Sequence, residues 1–196
     1  FDVVRVFREY TKSWGNEFGY MLRPRKVKGV EISNASFFNG QELMKRIKIT
    51  FEHKILFPKE LGVSAGEMET SMFWTKDSPI FDATLKKFEA TLATSNFIGH
   101  IDINCIVNGN GIYPLEFTSR FGYPQILIQR AGIQEPLGDI FYKLASGQKF
   151  EIKVKKGFQV GVFIVVPPFP YDDKKAFQLF SKDAVVILKK EAKEGI

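Results

Sequence analysis

Two strand-length apolar runs joined by four turn residues constrain this chain more than any other feature. Residues 99–107 read GHIDINCIV and residues 112–117 read IYPLEF, with Asn108-Gly109-Asn110-Gly111 between them. Gly and Asn tolerate positive φ, so this spacing predicts a β-hairpin. Side chains alternate along a strand, which puts Asp102 and Asn104 on one face and likewise pairs Glu116 with Thr118. A turn centred on residues 108–110 sets the two acids close to opposite each other. Facing carboxylates repel unless a cation lies between them. Mg²⁺ is the hard ion that fits oxygen ligands beside a phosphate. Arg120 follows directly, a planar donor suited to phosphate oxygens.

The rest of the chain supplies elements around this hairpin. Residues 3–14 are compatible with a helix ending near Gly15. Val30, Ile32 and Asn34 alternate with Glu31, Ser33 and Ala35, predicting a strand that turns at Asn39-Gly40 and returns over 44–51. Residues 62–68 carry Gly62 and Gly66-Glu67-Met68, and two glycines at this spacing let the backbone come close to another group without by themselves marking a site. Residues 78–95 place Phe81, Leu85, Phe88 and Leu92 at helical spacing behind Ser78-Pro79. Residues 124–146 read as two helices broken near 132–136, residues 157–171 as a buried strand stopped by prolines, and 184–188 as a short strand. There is no internal repeat and no low-complexity segment.

The hairpin resembles the metal-binding hairpin of the ATP-grasp ligases, most closely the phosphoribosylamine–glycine ligase (glycinamide ribonucleotide synthetase) family. Glu116-Phe117-Thr118, then Arg120-Phe121-Gly122 and Tyr123-Pro124-Gln125, follow that family's acid-spacer-Asn, Arg-Phe-Gly, acid-Pro and Gln. Thr118 stands where the ligand Asn is usual, and Tyr123 where an acid is usual. Asp102 is shared instead with the D-alanine–D-alanine ligase branch. Gly29, Glu31 and Ser33 match a hinge strand whose acid lies near the ATP ribose, although Pro24-Arg25 replace the acids common just upstream. Glu52-His53-Lys54 resembles the family's acid-His-Lys, and Ser64-Ala65 replace its Asn-Thr in the following loop.

What the resemblance implies is an α+β, ATP-grasp-like fold, mostly antiparallel sheet with packing helices. Residues 1–150 would be the C-terminal part of the ATP-grasp domain and 151–196 the beginning of a C-terminal ligase domain. It implies ATP with Mg²⁺ (or Mn²⁺) as cofactors, and glycine and 5-phosphoribosylamine as partners in making glycinamide ribonucleotide for purine biosynthesis. Asp102, Glu116 and Thr118 would hold the metal, and Arg120 the transferring phosphoryl group. Glu31 would contact nucleotide, and His53, Lys54, Gly66, Glu67, Pro124 and Gln125 would serve substrate. Glu31 reads equally as an exposed strand carboxylate, and His53 as a hydrogen-bonder at a strand end. Two other functions stay open: a ligase with a different acid or amine, and a non-catalytic ATP-grasp relic acting as a binding module.

Composition agrees with an ordinary globular chain. At 196 residues it is one domain or slightly more, and 44% hydrophobic against 26% charged content is typical. Twenty phenylalanines place many in the core. A net charge of +6 suits anionic ligands such as ATP and a sugar phosphate. The lysines are scattered without an aromatic-basic motif, so the basic runs at 23–28 and 153–156 read as solvated faces and no nucleic-acid partner is expected. The single cysteine, Cys105, reads as a buried, inert thiol. No apolar run of membrane length and no signal peptide appear, making the cytoplasm the expected compartment. The chain opens at Phe1 without methionine, as a fragment of a longer protein or a processed chain would.

Overall fold

Strand alternation builds the sheet. The computed structural model describes residues 26–185 and Ile187, and within them six strands form one sheet in the order β5-β4-β1-β2-β3-β6. The strands are β1 (Val30–Phe38), β2 (Ile47–Phe57), β3 (Leu61–Thr75), β4 (Gly99–Asn108), β5 (Gly111–Thr118) and β6 (Gln159–Val162). Every neighbouring pair is antiparallel. β1 and β4 pair without a break from Val30↔Val107 to Phe38↔Gly99, making the centre of the sheet its most regular part.

One face of the sheet is apolar. Ile32, Phe38, Ile47, Ile49, Ile101, Ile103 and Cys105 are buried there beneath Phe81 and Leu85. Those two come from α1 (Pro79–Ala83) and a 3₁₀ turn (Leu85–Phe88), followed by α2 (Glu89–Thr94). The other face has its own apolar cluster at one end, where Phe37 and Met44 meet Ile133, Ile140, Leu144 and Ile152. This end is roofed by Ile133, which follows α3 (Gln125–Gly132), and by α4 (Leu137–Ala145), while α3 itself lies over β3 and β6. The middle of that second face carries the polar residues of alternating register: Glu31 and Ser33 on β1, Lys48, Glu52 and Lys54 on β2, and Asp102 and Asn104 on β4. The chain ends its described part with α5 (Lys174–Ala176) and a π-turn (Phe177–Ser181).

The hairpin and the two helices after it form where the sequence predicts them. Several expectations need correction. Asn39-Gly40 turns the chain as expected, with Phe38 bridged to Leu43 and Asn39 Oδ1 accepting from the backbone N–H of Gln41 and Glu42, but the continuous return strand begins only at Ile47. Met44, expected in that strand, is instead buried in the second core. Residues 62–68 lie inside β3 rather than in a free loop. Gly66 sits there in a bulge: between the pairs His53↔Glu69 and Ile55↔Ser64, residues 65–68 face the single residue Lys54, and Gly62 falls at a second register shift between Ile55↔Ser64 and Phe57↔Leu61.

The helix expected over 78–95 breaks at Thr84, whose backbone (φ −125, ψ −95) leaves the helical region. Its hydroxyl donates to the Ile80 carbonyl at 2.6 Å and lies 3.3 Å from Asn34 Oδ1, which places the break beside β1. The strand expected over 157–171 is only the four residues of β6, and it is not buried: Val160 and Val162 are both about two-thirds exposed. Of the described phenylalanines only Phe37, Phe38 and Phe81 are fully core. Ala184, Val185 and Ile187 are not in a strand. The expected helix at 3–14, and Pro24-Arg25, lie outside the described residues.

Candidate functional site

Lys48 is the hub of the polar face. Lys48 stands near the start of β2, a strand inside the sheet, and its side chain is 1% exposed. Its Nζ donates to Asp102 Oδ2 at 3.0 Å and to Gln125 Oε1 at 2.8 Å. Ser33 Oγ donates to the same Asp102 oxygen at 3.1 Å. The other carboxylate oxygen of Asp102 is buried without a partner.

A lysine ammonium has only donors, so it fixes which way the Gln125 amide points. The amide nitrogen is then turned to the acids, donating to Glu52 Oε1 at 2.5 Å and Glu67 Oε2 at 3.4 Å. Gln125 opens α3, and its side chain passes over Gly122, where a Cβ would stand 3.0 Å from Gln125 Oε1. Thus Gly122 of the Arg-Phe-Gly run makes room for the residue that closes the network.

Lys54 carries the network to its outer edge, with Nζ 2.5 Å from Glu31 Oε1 and 3.3 Å from Glu52 Oε2. Asn104 Nδ2 donates weakly to Glu31 at 3.5 Å. Thr70 donates to Glu67 from within the bulged strand. Burial raises the pKa of Glu52, although the Lys54 charge opposes it. Burial likewise raises that of Glu67, against hydrogen bonds from Thr70 and Gln125. Burial also pulls on Lys54, but its bonds to Glu31 and the charge of Glu52 prevail and raise its pKa. Four carboxylates (Glu31, Glu52, Glu67, Asp102) against two ammoniums (Lys48, Lys54) leave this face acidic.

The hairpin acids do not meet as the sequence suggests. Register puts Asp102 opposite Thr118 and Asn104 opposite Glu116, so the acids are diagonal neighbours on one face. The cation at Asp102 is Lys48, while Glu116 is exposed on the edge strand and Thr118 half-buried. Arg120 is exposed, and its Nη1 donates to the Phe121 carbonyl at 3.0 Å. Its backbone is better fixed than its side chain: His100 Nδ1 donates to the Arg120 carbonyl at 3.1 Å. His100 stacks on Phe121 (4.9 Å) and meets Phe37 edge-on (5.4 Å). Burial, with help from the Lys48 charge, lowers its pKa to about 3, so the ring is neutral.

Of the residues singled out in the sequence, Glu31, Lys54, Glu67, Asp102 and Gln125 therefore join one hydrogen-bonded network. Pro124 precedes Gln125 at the start of α3. Gly66 sits in the β3 bulge with φ +89 and open space around it. His53 points from the opposite face of β2, beside the Phe57 carbonyl (3.1 Å) and Glu60 (3.6 Å). Lys48 and His100 were missed. The signal for Lys48 was its place in the polar stripe 48, 50, 52, 54, in phase with Glu31 and Ser33. Nothing in the sequence marked His100.

Among the described residues no three of His, Cys, Asp and Glu converge to hold a metal ion. Mg²⁺ that arrives on a nucleotide needs only one or two carboxylates. Exposed Glu116 and half-buried Thr118, a carboxylate and a hydroxyl at the edge of the acidic face, fit that lesser demand. Cys105 is buried, and burial raises its thiol to about 11, which keeps it inert as expected. Lys153, Lys155 and Lys156 are exposed, as a solvated face requires. Among the described residues no helix is long and apolar enough to cross a membrane.

No family model matches the sequence. Among solved structures, the phosphoribosylamine–glycine ligase of Thermotoga maritima is similar over 75% of this chain and 39% of its own, with TM-score 0.58 and 19% identity. A phosphoribosylglycinamide synthetase from Anaerococcus prevotii (11% identity, 80% and 42% coverage) reaches 0.48. The biotin carboxylase domain of a thermophilic 2-oxoglutarate carboxylase (10% identity, 80% and 36%) reaches 0.42, and these two overlap too loosely to carry an argument. The first shows the fold: mostly antiparallel, α+β and ATP-grasp-like, as in part of that ligase. This chain spans less than half the length of the solved structures it matches.

Proposed function

We propose that the chain is the acid-bearing part of an ATP-dependent carboxylate–amine ligase, with phosphoribosylamine–glycine ligase as its specific activity. The observation that carries the reading is the meeting of Gln125, from the segment after Arg120-Phe121-Gly122, with Glu52, Glu67 and Lys48 on one sheet face. An ATP-grasp-like fold over three-quarters of the chain supports it.

In this reading the glycine carboxylate takes the γ-phosphoryl group of ATP, releasing ADP. The amine of 5-phosphoribosylamine then attacks the acyl carbon and expels phosphate. Arg120 offers its guanidinium fork to the transferring phosphoryl oxygens. Glu31 faces the ribose, Lys54 holds Glu31 and Glu52 in place, and Glu67 and Gln125 orient the substrate, with Gly66, Pro124 and His53 shaping its surroundings. Mg²⁺, or Mn²⁺, held by Glu116 and Thr118 would neutralise charge on the β- and γ-phosphates. Residues from 151 onward would lead into a further ligase domain.

The test is glycine-dependent ADP formation by the whole protein, with phosphoribosylamine required for turnover past the first. ADP released with another carboxylate but not glycine would move the chain to a different ligase. One observation favours a second reading: Thr118 stands for the usual amide ligand while Arg120 spends a donor on Phe121. A non-catalytic ATP-grasp module would bind nucleotide, raising the melting temperature, with no acid-dependent ADP release.

A further inference from the structure

The ligase reading places Lys48 beside Gln125 but gives it no contact with nucleotide or substrate, yet it is the most deeply buried formally charged side chain among the described residues. Its ammonium stands where two oxygens converge, Asp102 Oδ2 at 3.0 Å and Gln125 Oε1 at 2.8 Å. Ser33 Oγ lies beside them, bonded to the same carboxylate oxygen at 3.1 Å, and Asp102 Oδ1 is buried with its lone pairs unused. Carboxylate, amide oxygen and hydroxyl are the donors a hard divalent ion takes. Here they surround a lysine.

We infer that Lys48 is the resident cation of this site: its ammonium supplies at Asp102 the charge a divalent ion would otherwise bring, so Asp102 binds no metal while Lys48 is in place. A buried carboxylate needs a compensating charge nearby. A lysine carried on a central strand meets that need permanently and does not dissociate. A second cation within a few ångströms would be repelled at the low effective dielectric of this face, so the two occupancies exclude each other. Divalent ions are thereby left to the exposed edge at Glu116. The inference does not depend on the ligase reading, because it concerns charge balance in the free chain.

The variant that tests it is Lys48→Met, whose side chain ends one atom short of Nζ and leaves the oxygens facing an atom-sized gap. Mn²⁺ is titrated by electron paramagnetic resonance into the full chain, K48M, D102N and the double variant, and each is melted with and without Mn²⁺. K48M should bind Mn²⁺ at least about tenfold tighter than the parent and melt higher with it. The double variant should lose both gains, and D102N should match the parent within about twofold. A folded K48M that binds no tighter than the parent overturns the inference, as does a D102N that binds about tenfold more weakly than the parent. Where K48M does not fold by itself, millimolar Mn²⁺ should restore folding in it and not in the double variant. Failure of that rescue also overturns it.

Discussion

At Arg120 the side chain and the backbone have separate duties. The carbonyl is fixed by His100, while the guanidinium is exposed and free to turn from Phe121 to a phosphate. Lysine keeps the charge but loses the fork. Arg120→Lys should therefore slow single-turnover acyl-phosphate formation in the whole protein by about 2–4 kcal/mol of barrier, with nucleotide affinity little changed. An unchanged rate would reduce Arg120 to a surface cation.

His100 makes a prediction of a different sort. Its folded pKa of about 3 lies below the ordinary 6.5, so the folded chain binds fewer protons than the unfolded one. The stability it contributes is full above pH 6.5 and is lost as pH falls from there towards 3. By about pH 4 the loss should reach roughly 3 kcal/mol, at 1.36 kcal/mol per pH unit. Urea midpoints of His100→Phe, which keeps the stack, should fall less between about pH 7 and pH 4 than those of the parent. Parallel curves would refute the buried, neutral ring.

Among the elements, the join of β1 to β4 is the tightest. A Cβ on Gly29 would come within 2.4 Å of the Val107 carbonyl oxygen and 2.7 Å of Ile106 Cγ2. Backbone cannot give way as a flexible side chain can. Gly29→Ala should cost about 1–3 kcal/mol and speed hydrogen exchange at Val30 and Glu31. Normal protection there would show that β1 tolerates the shift.

The same scale shows how much was legible beforehand. The β4–β5 hairpin was plain because alternation and Asn-Gly turn chemistry agree locally. So were α3 and α4, with Gly132 and Pro136 between them. The break at Thr84 was not, because the residue it packs against, Asn34 on β1, lies fifty residues away in sequence. The β3 bulge was read as a loop, since its glycines look alike in either setting and only the β2 partner decides. At the site, residue types were legible and pairings were not. Asp102 was visible as an acid needing a cation, but Lys48 reaches it from another strand, through a register that no single segment encodes.

For the whole molecule, one face of the sheet carries the main apolar core, and the other carries the polar network beside a second, smaller core. Among the described residues that polar face is acidic and reaches solvent at its outer edge, at Lys54 and Glu116, so this chain by itself should not close over ATP phosphates or exclude water from a reacting pair. It is expected to form no glycine-dependent ADP, which a coupled ADP assay on this chain checks. The most direct measurement on the central claim uses the whole protein with Mg²⁺, ATP and glycine, adding hydroxylamine in place of the natural amine. An acyl phosphate is trapped by hydroxylamine as a stable hydroxamate. The predicted result is glycine hydroxamate formed in step with ADP and strongly reduced in Glu116→Gln. Nucleotide binding without hydroxamate, for glycine or any other carboxylate tried, would contradict it.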